Sequence, residues 1–169
     1  MVNRETLNDL FRQMEWADAA VWTAVLASPA AVEDKKLREY LTHLHVVQRA
    51  FLLVWRGEPL TGLPPEFSDA QALMNWSRDY YSQAFAHLDA LSDGELNQPL
   101  ALPWSAMLEA RLGRPPAPTT KAETALQVAM HSTYHRGQIN ARLREIGAEP
   151  PLVDYIVWLW QGRPAPVWP

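Results

Sequence analysis

A chain of 169 residues with 48% hydrophobic and 20% charged content is long enough to bury one sizeable core and too short for two ordinary domains, so residues 1–169 are read as a single domain. A formal net charge of −4, with no Lys/Arg run longer than Lys35-Lys36, gives no long-range attraction to phosphate backbones and argues against a nucleic-acid partner. No cysteine is present, which excludes disulfides and thiolate ligands together and leaves only N and O donors for any metal.

The segment Met1 to Thr6 is polar and carries no apolar signal-peptide core. No apolar run approaches the ~20 residues that span a bilayer; the nearest is Tyr155 to Trp160. No membrane contact is expected, and a cytoplasmic address follows, with which the absence of cysteine is consistent.

Periodicity predicts a first helix over roughly Glu5 to Ala27, with Leu7, Leu10, Phe11, Met14, Val21, Trp22 and Val25 on one face and Ser28-Pro29 as its stop. Asp18 interrupts that apolar face and needs a partner, either as an acceptor behind a ligand histidine or as a purely structural group; the structural role is the slightly better fit. A second helix over roughly Glu33 to Arg56 has Leu37, Leu41, Leu44, Val47, Phe51 and Trp55 as its stripe and ends at Gly57. Ser68 to Gln71 reads as a capping box opening a third helix that runs to about Leu91. Residues 92–119, rich in Pro and small polar residues, read as a long crossover loop, and a loop of that length in a compact domain is often functional. Thr120 to Glu123 is a second capping box, and the fourth helix continues to Ile146 before Gly147 and Pro150-Pro151. The tail, Leu152 to Pro169, holds three of the eight tryptophans and is expected to pack back as a short helix with an extended end. Four long amphipathic helices without convincing strands predict an all-α four-helix bundle.

The pair His131 and His135 stands one helical turn apart, close enough for both imidazoles to reach one ion. Projection puts His135 among the core-facing Val128, Ile139 and Ile146, with His131 at the edge of the same arc. Burying two adjacent imidazoles is costly unless something shared satisfies them, and a metal ion would. On the second helix, His43 falls beside Tyr40, Val47, Ala50 and Val54 and aims inward toward the pair. His45 shares a face with Arg38, Arg49 and Arg56 and is expected at the surface. His87, on the stripe of Leu73, Trp76, Tyr80 and Leu91, is the competing third ligand and ranks below His43.

Several segments resemble one known family. Leu41 to Phe51 looks like the second-helix motif of DinB-like (YfiT-like) proteins, and His131-Ser132-Thr133-Tyr134-His135-Arg136-Gly137-Gln138 looks like their H-x-x-x-H-R-G-Q signature. Pro150 to Tyr155 and Glu15 to Asp18 resemble further family patterns, so the resemblance covers nearly the whole chain. It implies a four-helix bundle, commonly a homodimer, with a three-histidine metal site that maps onto His43, His131 and His135. Two departures stand out: Asp18 replaces the usual Asn, and Gln48 replaces the Glu of many members, which removes a carboxylate near the site.

Ser132 occupies the position where an H-E-x-x-H helix carries its general base, so a metallopeptidase is excluded. Three neutral ligands leave one divalent ion, zinc or nickel foremost and iron or manganese after them, with its full charge and open positions. The resemblance implies thiol-dependent relatives, and the expected activity is metal-dependent thiol transfer or hydrolysis on a small molecule, a low-molecular-weight thiol included. Tyr134, Gln48 and Arg136 are candidate polar helpers. The alternative is a non-catalytic bundle whose ion ties the second helix to the fourth. A homodimer is also physically reasonable from the apolar area of Trp158, Trp160 and Trp168.

Overall fold

The computed structural model describes residues 2–169; Met1 lies outside them. Four long helices dominate: α1 (Arg4–Leu26), α3 (Lys35–Arg56), α4 (Ala70–Ala90) and α7 (Lys121–Glu145). Shorter pieces join them: α2 (Pro29–Glu33), α5 (Asp93–Leu96), α6 (Ser105–Leu112), α8 (Tyr155–Trp160), and the two-residue strands β1 (Pro99–Leu100) and β2 (Thr119–Thr120), paired antiparallel.

Side-chain caps explain where the long helices begin. Asn3, Asp34 and Asp69 each accept a hydrogen bond from the backbone N–H three residues on, and Thr120 with Glu123 forms the expected capping box. Gly57, at φ 69°, closes α3 in the left-handed conformation that favours glycine. Two expected boundaries shift. The third helix is capped by Asp69 rather than Ser68, whose hydroxyl instead donates to the Asp69 carboxylate at 2.9 Å. Ser28-Pro29 not only follows α1 but starts α2, because Ser28 caps that short helix and Pro29 is at its first turn.

In the bundle α1 packs on α4 and α7, and α3 packs on the same two, so α1 and α3 are diagonal. One apolar core joins Leu7, Phe11 and Met14 to Phe51, Trp55, Leu88, Ala122 and Val128. A second joins Val21 and Trp22 to Leu37, Leu41, Leu73, Ile139 and Leu143. Early residues of α1 and α7 thus meet late residues of α3 and α4, which sets α1 and α7 running one way and α3 and α4 the other. Each fully buried large apolar side chain contributes about 1.5–3 kcal/mol to this arrangement. Midway between the two cores the apolar filling is replaced by a buried polar layer of Asp18, His45, Gln48, Ser132 and Arg136.

Residues 92–119, expected as a loop, hold α5, α6, β1 and the first residue of β2. Ser92 and Glu95 form a capping box for α5. The Trp104 ring meets Phe51 of α3 edge-on at 5.0 Å.

The tail straps the bundle. Gln13 donates to the Val153 carbonyl at 2.8 Å, Asn140 to the Pro151 carbonyl at 3.2 Å, and the Trp168 indole to Glu15 at 3.3 Å. Arg163 pairs with Asp9 at 3.0 Å. The strap lies on α7, α1 and α4, away from the groove between α3 and α7. Trp158 is buried and Trp168 half-buried, so of the three tail tryptophans only Trp160 offers its area to the outside. No helix among the described residues is long and apolar enough to cross a membrane.

Candidate metal centre

In the groove between α3 and α7, His43 meets His131 and His135. The ring centroids lie 5.4 Å (His43–His131), 4.5 Å (His43–His135) and 4.2 Å (His131–His135) apart, and one ligand nitrogen from each lies within 4.8 Å of the others. The Nε2 atoms of His131 and His135 are 3.0 Å apart. Such a cluster can hold a metal ion.

The second nitrogen of His135 shows how the donor set is prepared. Its Nδ1 lies 2.8 Å from the Gln138 side-chain oxygen, and the Gln138 amide nitrogen donates to the Tyr134 hydroxyl at 3.2 Å. An Nδ1–H donated to Gln138 leaves the Nε2 lone pair free toward the cluster, the usual device by which an outer hydrogen bond orients a metal-binding imidazole. Burial, with His135 and His43 as neighbours, lowers the His131 pKa to about 4. Burial and His43 also lower that of His135, against the Gln138 hydrogen bond. Both rings are therefore neutral at pH 7, as ligands must be.

The orientation of the α3 histidines differs from expectation. His43 is exposed at the rim of the groove, and the arc it shares with Val47, Ala50 and Val54 is half-buried against α7 rather than in the core. His45, expected at the surface, is 1% exposed. The three arginines suggested a solvated face, yet Arg49 is buried, its guanidinium 4.9 Å from the Trp76 ring and donating to the Trp76 carbonyl at 2.8 Å. A long side chain that ends on an aromatic ring hides its helix face instead of wetting it.

His45 is satisfied on both nitrogens: the Trp22 indole donates to Nε2 at 3.0 Å, and Nδ1–H donates to the Gln48 oxygen at 2.8 Å. The Gln48 amide donates to Asp18 at 2.9 Å and to Ser132 at 3.1 Å, while Arg136 donates to the other Asp18 oxygen at 2.9 Å. The Tyr81 hydroxyl also donates to Asp18; burial, with Asp18 beside it, holds that phenol protonated. Asp18 thus anchors the layer structurally and does not hydrogen-bond a histidine of the cluster. Gln48 and Arg136 spend their hydrogen bonds inside the layer, behind the three histidines, with Arg136 also reaching Thr133. Ser132 and Arg136 face inward, each one residue after a cluster histidine, so His131 and His135 are boundary rather than core residues. Tyr134 alone of the three expected helpers borders the cluster, edge-on to His135 at 5.1 Å and largely exposed. His87 stacks on Trp55 at 6.1 Å in the first core and takes no part.

The layer's full membership escaped the sequence reading. An unpartnered acid on the first helix and an arginine one residue past His135 were the available signals. Replacing His45 with Ala leaves the Trp22 N–H and the Gln48 carbonyl unpaired around a void, costing about 3 kcal/mol. A fall of about 6–12 °C in the melting midpoint is expected, with metal content by elemental analysis unchanged. Loss of metal in a folded His45→Ala chain contradicts this division of roles.

Residues 4–164 match the DinB family. No curated protein matches the chain.

Proposed function

Because the chain belongs to the DinB family, we propose that it is a metal-dependent enzyme that binds one divalent ion through His43, His131 and His135 and carries out thiol transfer or hydrolysis on a small molecule. The observation that carries this reading is the convergence of three imidazoles, with no carboxylate in the group, in a groove between α3 and α7 where His43 is exposed and His131 and His135 are half-buried. A closed structural site needs four protein ligands, whereas three at an open groove leave room for water or substrate.

The donor set suits zinc or nickel first and iron after them, while manganese, which prefers oxygen donors, fits it least. When bound, the ion supplies Lewis acidity and lowers the pKa of a water or thiol placed on it. The chain's own residues do the rest. Gln138 holds the His135 ring in its donor tautomer, and the exposed Tyr134 hydroxyl, within reach of Gln138, offers a hydrogen bond to a substrate in the groove. Gln48 and Arg136 act from behind by holding α3 and α7 in place.

Cobalt-substituted protein titrated with a panel of low-molecular-weight thiols tests the reading, since a bound thiolate produces an intense charge-transfer band. A thiol that gives the band and turns over supports it. Tight metal binding with neither thiol adducts nor hydrolysis of activated esters returns the ion to a structural tie between α3 and α7.

Protons compete with the ion for the same nitrogens. His131 and His135 have pKa values in the folded chain below the unfolded 6.5, so the unfolded state binds more protons as pH falls through that value. Stability from these neutral rings is complete above about pH 6.5 and lost toward about pH 4, and bound metal acts in the same direction. Metal occupancy measured against pH is expected to fall over that window. Retention of the ion at pH 4.5, unaltered in His43→Ala, would mean that carboxylates hold it.

A homodimer is the assembly proposed, through the exposed Leu152, Ile156 and Trp160 on the tail. Light scattering at micromolar concentration is expected to give twice the chain mass, and to give the chain mass for Trp160→Glu; a monomeric wild type rejects the dimer.

A further inference from the structure

The segment between α4 and α7 encloses an apolar pocket of about 390 Å³ that the metal centre does not use. Leu100, Leu102, Trp104, Leu108, Leu112 and Pro116 form its walls, Ser105 and Thr119 are its hydroxyl-bearing members, and no charged residue lines it. Helix α6 buries none of its own residues, and Leu108 and Leu112 are 43% and 55% exposed. A helix of eight residues is far too short to persist on its own propensity. Leucines left uncovered at a concave surface mark a place where an apolar ligand gains burial.

The position of the pocket ties it to the histidines. Trp104 of its wall packs on Phe51, which lies eight residues from His43, about 12 Å along α3. Val47 and Ala50, both half-buried, occupy the strip between them. On the other side, β2 leads directly into α7, which carries His131 and His135. Through the Trp104–Phe51 contact the pocket therefore abuts the end of the strip of α3 that leads to His43.

We propose that this pocket receives the hydrocarbon portion of a substrate whose donor atom sits at the three histidines. The substrate class is then a small molecule with a metal-binding head and an uncharged apolar tail; the head rests on the metal-centre reading above, the tail does not. Volume and charge select this occupant. The pocket, at about 390 Å³, falls in the range of small-molecule sites. Its uncharged walls give no counter-charge to a phosphate or carboxylate, so such groups on the tail are rejected.

Full-length protein loaded with cobalt and titrated with linear alkanethiols from ethanethiol to hexadecanethiol tests the assignment through the thiolate–cobalt band. Once the chain exceeds about ten carbons, the length that spans the ~12 Å from His43 to Phe51, affinity is expected to climb by up to about fourfold per methylene, the transfer free energy of one buried CH₂. In Leu108→Glu, a change at an exposed position that leaves the melting midpoint in place, the climb flattens while ethanethiol binds as before. In parallel, metal-free protein is titrated with the uncharged fluorophore N-phenyl-1-naphthylamine, whose emission rises in apolar surroundings; Leu108→Glu is expected to weaken this binding at least tenfold. No fluorophore binding overturns the pocket. Fluorophore binding with chain-length-independent thiol affinity overturns the shared substrate. Absence of any cobalt–thiolate band overturns the metal-centre reading and the common substrate with it, while a fluorophore signal lost in Leu108→Glu then marks a separate apolar site. A dimer that dissociates in Leu108→Glu shows a second copy of the chain as the occupant and overturns the proposal.

Discussion

Replacing His135 with Ala is expected to reduce bound metal from about one equivalent per chain to a trace and to abolish the effect of a chelator on thermal stability. An ion that binds only the folded chain stabilises it by mass action, about 2.7 kcal/mol when free metal is a hundredfold above the dissociation constant. For a chain of this length that corresponds to about 5–10 °C in the melting midpoint, which EDTA removes from the wild type. The His135→Ala variant should melt near the EDTA-treated wild type and show no further shift with EDTA. The reason is positional: His135 is half-buried at the edge of the groove and donates no hydrogen bond into the polar layer, so its loss removes the ion without emptying the core. Calorimetry with and without chelator, beside elemental analysis, decides it. An undiminished chelator effect in the variant rules out His135 as a ligand.

The most damaging single substitution is expected at Asp18. Asp18→Ala strips the Arg136 guanidinium of its counter-charge where the side chain is 2% exposed, and it deprives Gln48 and Tyr81 of their shared acceptor. Removing one partner of a buried ion pair costs about 3–5 kcal/mol, because the remaining charge stays desolvated. A fall of about 6–20 °C in the midpoint follows. Asp18→Asn keeps the shape and one acceptor oxygen and should lose clearly less. Chemical denaturation of both variants measures the difference. Equal and small losses would show that water reaches the layer and that the pair is not buried in solution.

Much of this was legible beforehand because the long helices advertise themselves. Apolar residues at helical spacing, Gly57 and the Ser68 and Thr120 capping signals located all four bundle helices closely, and the His131/His135 spacing located two members of the cluster. The helical projection singles out His43 for a reason only half right: its arc faces a groove, not the core, and a projection of one helix cannot tell the two apart. His45 was lost because arginines count as polar in a projection even when, like Arg49, they end on a tryptophan. The segment from 92 to 119 resisted reading because α6 buries nothing and therefore has no stripe, although Ser92 and Glu95 carried the capping signature of α5 in plain view. The polar layer was invisible as a whole, since each helix contributes only one or two of its members and each looks, on its own helix, like a defect in an apolar face.

That layer also fixes the vertical alignment of the bundle. Two purely apolar cores would tolerate helices sliding past one another, because one apolar side chain fills a gap much as another does. A slip of one helical turn, 5.4 Å, would carry Asp18 or Arg136 into an apolar shell and strand a charge there. The sequence therefore specifies a single register. His43 stands at the height of His131 and His135 because His45 and Gln48 on its own helix, and Ser132 and Arg136 on theirs, admit no other setting.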